Sequence, residues 1–403
     1  ILYGRATHGV SIGKIKDIAE WLRYEVVQHD FAIEWKEGED VDTLILTAFK
    51  LLDEPKNLII DGREINDDTN IRVNDHADNI MALSYYANQM SHIFLLDAFF
   101  AVVYLSFSEE SVLEDEFKDR FCFLVQLLEK EFVLDWDMEE KFNNVIQMYT
   151  KKRIIRSQDN RLVLLVNMEN DTVRYEQLIF LASLVYPTID AYWITSCSLS
   201  ALEAVPMLPR CIVPMLTQWI ATHLITGRRT IYREVLSTES SKTAVDVFMS
   251  MGFLTEIHAK EKLSPDAQIL LHELGIPTSE ILIELAGQNS DGGKTPISPK
   301  DPEGMMKAVM AQIQMNRANS NMADLCQQID SYRLGAASQR ESFQNAQVFQ
   351  KCLKQIKGIL HANSSFAKRR NIELPENEDG LAQLVYSLLA SSAPAGDRAA
   401  QAR

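Results

Sequence analysis

The most apolar run in the chain is IMALSYYANQMSHIFLLDAFFAVVYLSF, residues 80–107, and the rest of the sequence reads outward from it. Only Ser84, Asn88, Gln89, Ser91, His92 and Asp97 interrupt it, apart from the tyrosine hydroxyls and Ser106. At helical spacing Met81, Tyr85, Asn88, His92, Leu95 and Phe99 share a stripe, and most of the remaining surface is apolar too. A helix that is apolar nearly all round is buried on most sides. A membrane span needs roughly 20 consecutive apolar residues with few or no charges. Here Asp97 stands in the middle of the best window, so the pattern predicts a central core helix. It also predicts a buried, hydrogen-bonded His92, because buried polar side chains are normally paired. Asn88, four residues earlier, shares its face and is placed to anchor a neighbouring loop or helix.

On the N-terminal side, Ser11 is positioned to cap a helix with Ile15, Ile18, Ala19, Leu22 and Val26 at three- and four-residue spacing. Phe31, Ile33 and Trp35 alternate with polar or small residues, predicting a short strand. The acidic KEGED loop leads into a helix over 41–52, ended at the DEP turn. Residues 57–60 read as a strand, Asp61-Gly62 as a hairpin turn, and 66–78 as a polar loop. Beyond the central run, Ser108 or Ser111 is placed to cap a helix carrying Phe117, Phe121, Leu124, Leu128 and Glu131. A helix over 138–150 feeds KKRIIRSQDNRLVLLV, two β-prone runs around Gln158-Asp159-Asn160, the pattern of a hairpin. Helical stretches follow at 176–185, where Pro187 bends or breaks the helix, and at 190–204, 211–225 and 238–251. Gly252 stands where a left-handed C-cap belongs, and FLTEIHAKEKLSPDAQ reads as a strand, a turn and a return.

Composition shifts after residue 287. GQNSDGGKTPISPKDPEG is a flexible connection by content, giving a linker over 288–304. Residues 305–391 predict a helical extension, with helical patterns at 305–332, 338–361 and 380–389, and 392–403 a disordered tail. The fold class is therefore mixed α/β and predominantly helical. A multi-helix domain over 1–287, with short strands and hairpins, precedes a helical, partly disordered extension.

Charge narrows the partners. The formal net charge of −16 argues against a nucleic-acid surface, which needs a basic face. Two helix–hairpin units still admit a winged helix, with Lys151, Lys152, Arg153, Arg156 and Arg161 as its phosphate contacts. The bland reading of that run is a solvated wing. Lys368-Arg369-Arg370 reads as a solvated loop, since a lipid patch needs about four or more basic residues. Five cysteines at wide, irregular spacing give neither a zinc signature nor a disulfide framework, so a reducing compartment is the default. The chain opens on Ile1 without a targeting pattern, and is expected to be a fragment continuing something upstream. No P-loop, GxSxG, HExxH or dinucleotide fingerprint occurs. No catalytic, cofactor-binding or metal-ligating residue is assigned.

Residues 1–260 nevertheless resemble the C-terminal region of the glycerol-3-phosphate acyltransferase family. The mitochondrial outer-membrane type is nearest, with dihydroxyacetone-phosphate acyltransferase a close relative. The resemblance starts at ILYGRATHGVSIGKIKDIAEWLRYEVVQHDFAIEW and VDTLILTAFKLL. It is clearest at LSYYANQMSHIFLLDAFFAVVYL, where Tyr86, Asn88, His92 and Phe94 match a Tyr-x-Asn-x-x-x-His-x-Phe structural motif. It continues at YEQLIFLASLVYPTIDAYW and closes on WIATHLITGRRTIYREVLSTESSKTAVDVFMSMGFL. The resemblance implies an enzyme that moves an acyl group from acyl-CoA, its co-substrate, to the sn-1 hydroxyl of glycerol 3-phosphate. It implies that the histidine–aspartate and phosphate-binding arginine motifs lie upstream, in the protein's own N-terminal acyltransferase domain. It also implies attachment to the outer mitochondrial membrane through upstream segments, facing the cytosol, with the endoplasmic reticulum or peroxisomal membrane as the alternative. His92 and Asp97 do show the H-x-x-x-x-D spacing of the catalytic motif. On one helix, however, residues five apart point to opposite sides, so this pair is read as a coincidence. The expectation is a C-terminal accessory region inactive by itself; the alternative is a non-enzymatic helical or winged-helix interaction module.

Overall fold

A computed structural model describes residues 9–34, 38, 40–52, 57–61, 66–74, 76–132, 134, 136–199, 202, 208–226, 230, 232–258, 281–286 and 322–333. These are predominantly helical, with short antiparallel strands in three-stranded sheets. The chain divides into two compact units, residues 1–126 with 134–187, and residues 127–133 with 188–403.

In the first unit, α1 (Ile12–Gln28) begins where Ser11 accepts a hydrogen bond from the Lys14 amide at 3.4 Å. It packs with α2 (Val41–Leu51) on a sheet ordered β1 (Val10–Ser11), β3 (Asn70–Val73), β2 (Leu58–Ile60). Val10, Ile12, Ile15, Ile45, Phe49, Leu58 and Ile71 form the shared core. Gly9, at φ +72°, leads into β1, and a Cβ there would lie 2.5 Å from Arg72 and Asn70. Only glycine meets both demands. The sheet corrects two expectations. Strand β3 lies inside the stretch read as a polar loop: Asn-Ile-Arg-Val alternates, burying Ile71 and Val73 while Asn70 and Arg72 hold Asp61. Conversely, residues 31–34 have no regular secondary structure, because Phe31 is tied back to the end of α1.

The central run is not one uniform core helix. It consists of α3 (Ala77–Ser91), a 3-10 turn over His92–Phe94, and α4 (Leu95–Leu105). Residues 98–103 of α4 are all 0 % exposed, whereas residues 85–90 of α3 are all exposed. Periodicity could not separate the halves, since tyrosine and methionine count as apolar while a wet face tolerates them. By length and composition, Ala82–Leu105 could cross a membrane, yet 56 % of its most apolar window is buried in the protein.

Around α4 stand α5 (Glu114–Phe132), α6 (Met138–Lys151) and α7 (Thr172–Ala182), with a sheet ordered β4 (Ser111–Leu113), β6 (Arg161–Leu164), β5 (Ile155–Gln158). The predicted hairpin is present: Asp159 and Asn160 adopt φ 50° and 58°, the left-handed pair a two-residue turn requires. Ser111 does not cap α5; it lies in β4, which pairs with β6. Phe100 stacks on Tyr149 at 3.7 Å and meets Phe117 at 5.5 Å. The buried Tyr104 hydroxyl donates to the Val166 carbonyl at 2.7 Å and accepts from the Val166 amide at 2.9 Å. Burial pushes its pKa up to about 12. Tyr104→Phe strands both backbone groups, and is expected to cost about 1–3 kcal/mol in urea unfolding.

The second unit is built on α8 (Tyr186–Leu199), buried continuously over residues 189–199. Pro187 sits in its first turn, where the missing amide costs nothing, and a turn over 183–185 separates it from α7. α9 (Val213–Thr226) and α10 (Thr238–Ser250) follow, and Gly252 takes the left-handed conformation at φ 81°. The strand of FLTEIHAKEKLSPDAQ is β8 (Leu254–His258), and the turn and return expected over 259–268 lie outside the described residues. β8 pairs with β9 (Ile281–Leu285), which lies between β8 and β7 (Leu208–Pro209).

The last described element, α11 (Met322–Asp330), falls in the segment expected as a helical extension. Met322, Leu325, Cys326 and Ile329 follow the i, i+3, i+4, i+7 pattern and are all buried, so this helix supplies core to the second unit. The linker 288–304, the helices expected at 338–361 and 380–389, Lys368-Arg369-Arg370 and the tail 392–403 lie outside the described residues. So do most of the KEGED loop, the DEP turn and the turn at Gly62.

Candidate functional site

Among the described residues of the first unit, a gathering of ionisable groups lies where α1 ends. His29 caps α1, and Asp30 adopts φ 60° beyond it. The Phe31 amide bonds to the Val26 carbonyl and the Asp30 amide to the Val27 carbonyl, the paired pattern of a Schellman stop. This stop aims His29 inward and Phe31 outward. Asp30 holds a conformation costly for branched side chains, so Asp30→Val is expected to cost about 1–2 kcal/mol in urea unfolding.

Asp97, in the first turn of α4 and 1 % exposed, receives the cluster's contacts. Tyr149 from α6 donates to Asp97 Oδ1 at 2.8 Å. His29 Nε2 lies 2.9 Å from Asp97 Oδ2, an ion-pair distance, though the alignment falls short of a hydrogen bond. Lys152 Nζ lies 4.0 Å from Asp97 and 2.6 Å from Glu25 Oε2. Glu25, 8 % exposed, also accepts from Trp21 Nε1 at 3.1 Å. Two carboxylates thus face Lys152 and His29, and charges that would be costly alone are paired. Three helices, α1, α4 and α6, are joined by charge inside an apolar core.

The cluster sets the protonation of its members. Contact with Asp97 raises the His29 pKa against the opposing effect of burial; Lys152 lowers it and Glu25 raises it further. Burial, then the Asp97 charge, holds the Tyr149 hydroxyl protonated well above its ordinary range. A histidine raised in the folded state contributes stability that is complete below its unfolded pKa and lost as pH rises through the folded value. Unfolding free energy is therefore expected to fall as pH climbs above about 6.5. His29→Gln should flatten that slope in urea titrations at a series of pH values. A slope unchanged by the substitution would contradict the pairing.

The four motif residues do not come together. Phe94 is buried at 4 % and meets the His29 ring edge-on at 5.9 Å. Tyr86 and Asn88 are exposed on α3. His92, expected in the core, is exposed as well, with its ring edge-on to Phe31 at 5.8 Å. It stands at the end of the wet half of the run, which explains the correction. Asp97 takes His29 as its histidine, and the H-x-x-x-x-D spacing brings together no pair. Of the basic run, Lys152 is engaged with Glu25 and Arg161 with Ser111, while Lys151, Arg153 and Arg156 are exposed. His29, Glu25 and Tyr149 carried no motif, and Lys152 was read only within the basic run. The available signal was Asp97 itself, a charge in an apolar run that had to find partners.

A second cluster lies in the second unit. Asp190 of α8, 5 % exposed, accepts from Thr230 at 2.5 Å and from Arg333 Nε at 2.6 Å. Arg333 also donates to Asp330 at 2.8 Å and stacks on Trp193 at 3.5 Å. Among the described residues, no group of three or more His, Cys, Asp or Glu is placed to hold a metal ion.

Fold and clusters together define a helical region in which two clusters of paired charges fasten its own helices. Residues 1–257 match the family described as the glycerol-3-phosphate acyltransferase C-terminal region, and the chain belongs to that family. No curated protein matches the chain. Membership sets the chain in an acyltransferase lineage within glycerolipid metabolism. The matched segment stops inside β8, so β9 and α11, which complete the second unit, lie beyond it.

Proposed function

We propose that the chain is the C-terminal accessory part of a membrane-bound glycerol-3-phosphate 1-O-acyltransferase. That enzyme joins the acyl group of acyl-CoA to sn-glycerol 3-phosphate, giving lysophosphatidate and CoA. The chemistry belongs to the protein's own N-terminal acyltransferase domain, and the membrane is reached through segments upstream of this chain. The working location is the outer mitochondrial membrane with this region facing the cytosol; the endoplasmic reticulum or peroxisomal membrane is the alternative.

One observation carries the reading beyond the family match. Tyr24 and Val27 on α1 and Phe31 just beyond its end are 60 %, 54 % and 44 % exposed. On α3, Tyr85, Tyr86 and Met90 are also exposed, and the two groups meet where Phe31 touches His92. Aromatic and methionine side chains gathered on one face mark interaction surfaces. The acyltransferase domain is the partner that a C-terminal region must have. The cluster below that face has its charges paired internally, as suits a support.

The test is association between the 403-residue chain and a separately expressed acyltransferase domain of the same protein. Tyr86→Ser with Met90→Ser is expected to weaken binding at least tenfold while leaving the thermal midpoint unchanged. Binding at undiminished affinity would remove α3 from the interface.

A further inference from the structure

Cys197 on α8 and Cys326 on α11 face each other with their sulfur atoms 3.1 Å apart, and they are 1 % and 4 % exposed. They are 129 residues apart in the chain, and neither is in a disulfide. A disulfide needs the sulfurs to close to about 2.05 Å, an approach of roughly 1 Å from here. The geometry points to a dithiol redox site: glutathione disulfide oxidises Cys197 and Cys326 to an intrachain disulfide that fastens α11 to α8.

The two thiols are unequal. Burial and the neighbouring sulfur raise Cys197, whereas the hydrogen bond from Cys197 lowers Cys326. In the proposed sequence Cys326, carried on the helix that opens, is the attacking sulfur. Its thiolate displaces one glutathione thiolate from glutathione disulfide and forms a mixed disulfide. The Cys197 thiolate then attacks the Cys326 sulfur and releases the second glutathione. The protons of the two protein thiols pass to the two glutathione thiolates, so the protein loses two electrons and glutathione disulfide gains them. The balance of glutathione and its disulfide sets which form prevails.

Access controls the reaction, because a buried thiol is inert. α11 is part of the second unit's core. It is held by Met322, Leu325, Ile329 and Tyr332 and by the Arg333 contacts to Asp190 and Trp193. Release of this helix uncovers both sulfurs together. Closure afterwards presents them to each other, so an oxidant that captures Cys326 is resolved by Cys197 rather than by the exposed Cys211.

The experiment treats the full 403-residue chain with excess glutathione disulfide, quenches with acid, alkylates, and maps peptides by mass spectrometry without reduction. The expected product is a peptide pair linked through Cys197 and Cys326. Its formation should raise the thermal midpoint by on the order of 5 °C, since a cross-link closing so long a loop restrains the unfolded chain. Dithiothreitol should reverse both changes. Cys211→Ser should leave the link intact, and serves as the variant least able to disturb folding. Recovery of both buried cysteines in alkylated form, or of glutathione on Cys326 without a link to Cys197, would overturn the proposal.

Discussion

Asp97→Ala is expected to lower the stability of the first unit by about 3–5 kcal/mol, the cost of breaking a buried ion pair from one side. Asp97 is the acceptor for the Tyr149 hydroxyl and the counter-charge for His29, with Lys152 at 4.0 Å. Without it, the Tyr149 hydroxyl loses its acceptor inside the core and His29 stays charged only at a cost. Asp97→Asn separates these effects. It can still accept from Tyr149, but it removes the charge, so the decline of stability above about pH 6.5 should vanish with it. Equilibrium urea unfolding of both variants gives the comparison. A loss below about 1 kcal/mol for Asp97→Ala would mean the cluster is a surface-like pair of little weight.

Arg333→Ala is the second large effect, again about 3–5 kcal/mol and confined to the second unit. The Arg333 side chain is 11 % exposed, lies over Trp193, and meets Asp190 and Asp330. Alanine leaves Asp190 buried with Thr230 among its donors but without this cation. Arg333→Lys keeps the charge and loses the planar fork and the stacking, so it should recover only part of the loss. Removing residues 322–403 should cost more still, since the buried Met322, Leu325, Ile329 and Tyr332 leave too. Thermal melts and limited proteolysis of that truncated chain would report it. An unaltered second unit would show that α11 is dispensable to the core.

Much of the helical framework was legible because its signals are local. Ser11 capping α1, the Phe117–Leu128 stripe of α5 and the Gln158-Asp159-Asn160 hairpin follow from capping, period and turn chemistry, and each is found. The missed strand pairings depended on partners that local signals do not name. Strand β3 is a strand because β1 and β2 flank it; Asn70–Val73 is too short to announce itself against a polar background. β8 pairs with β9, a partner that no local turn signal could name. The exposure of Tyr86, Asn88 and His92 was hidden because a wet apolar face and a buried one have the same composition. Of the candidate site, only Asp97 stood out. Glu25, His29, Tyr149 and Lys152 converge on it from two helices and their ends, an arrangement no spacing along the chain records.

The proposed role assigns the chemistry to another part of the protein. The most direct measurement is CoA release by the purified 403-residue chain given palmitoyl-CoA and glycerol 3-phosphate, alone and again with the separately expressed acyltransferase domain. The expected result is a rate no greater than the protein-free blank for the chain alone, and a rate with both parts that exceeds the domain's own. Steady turnover by the chain alone would contradict it, and would send the search for a catalytic group back to the residues of this region.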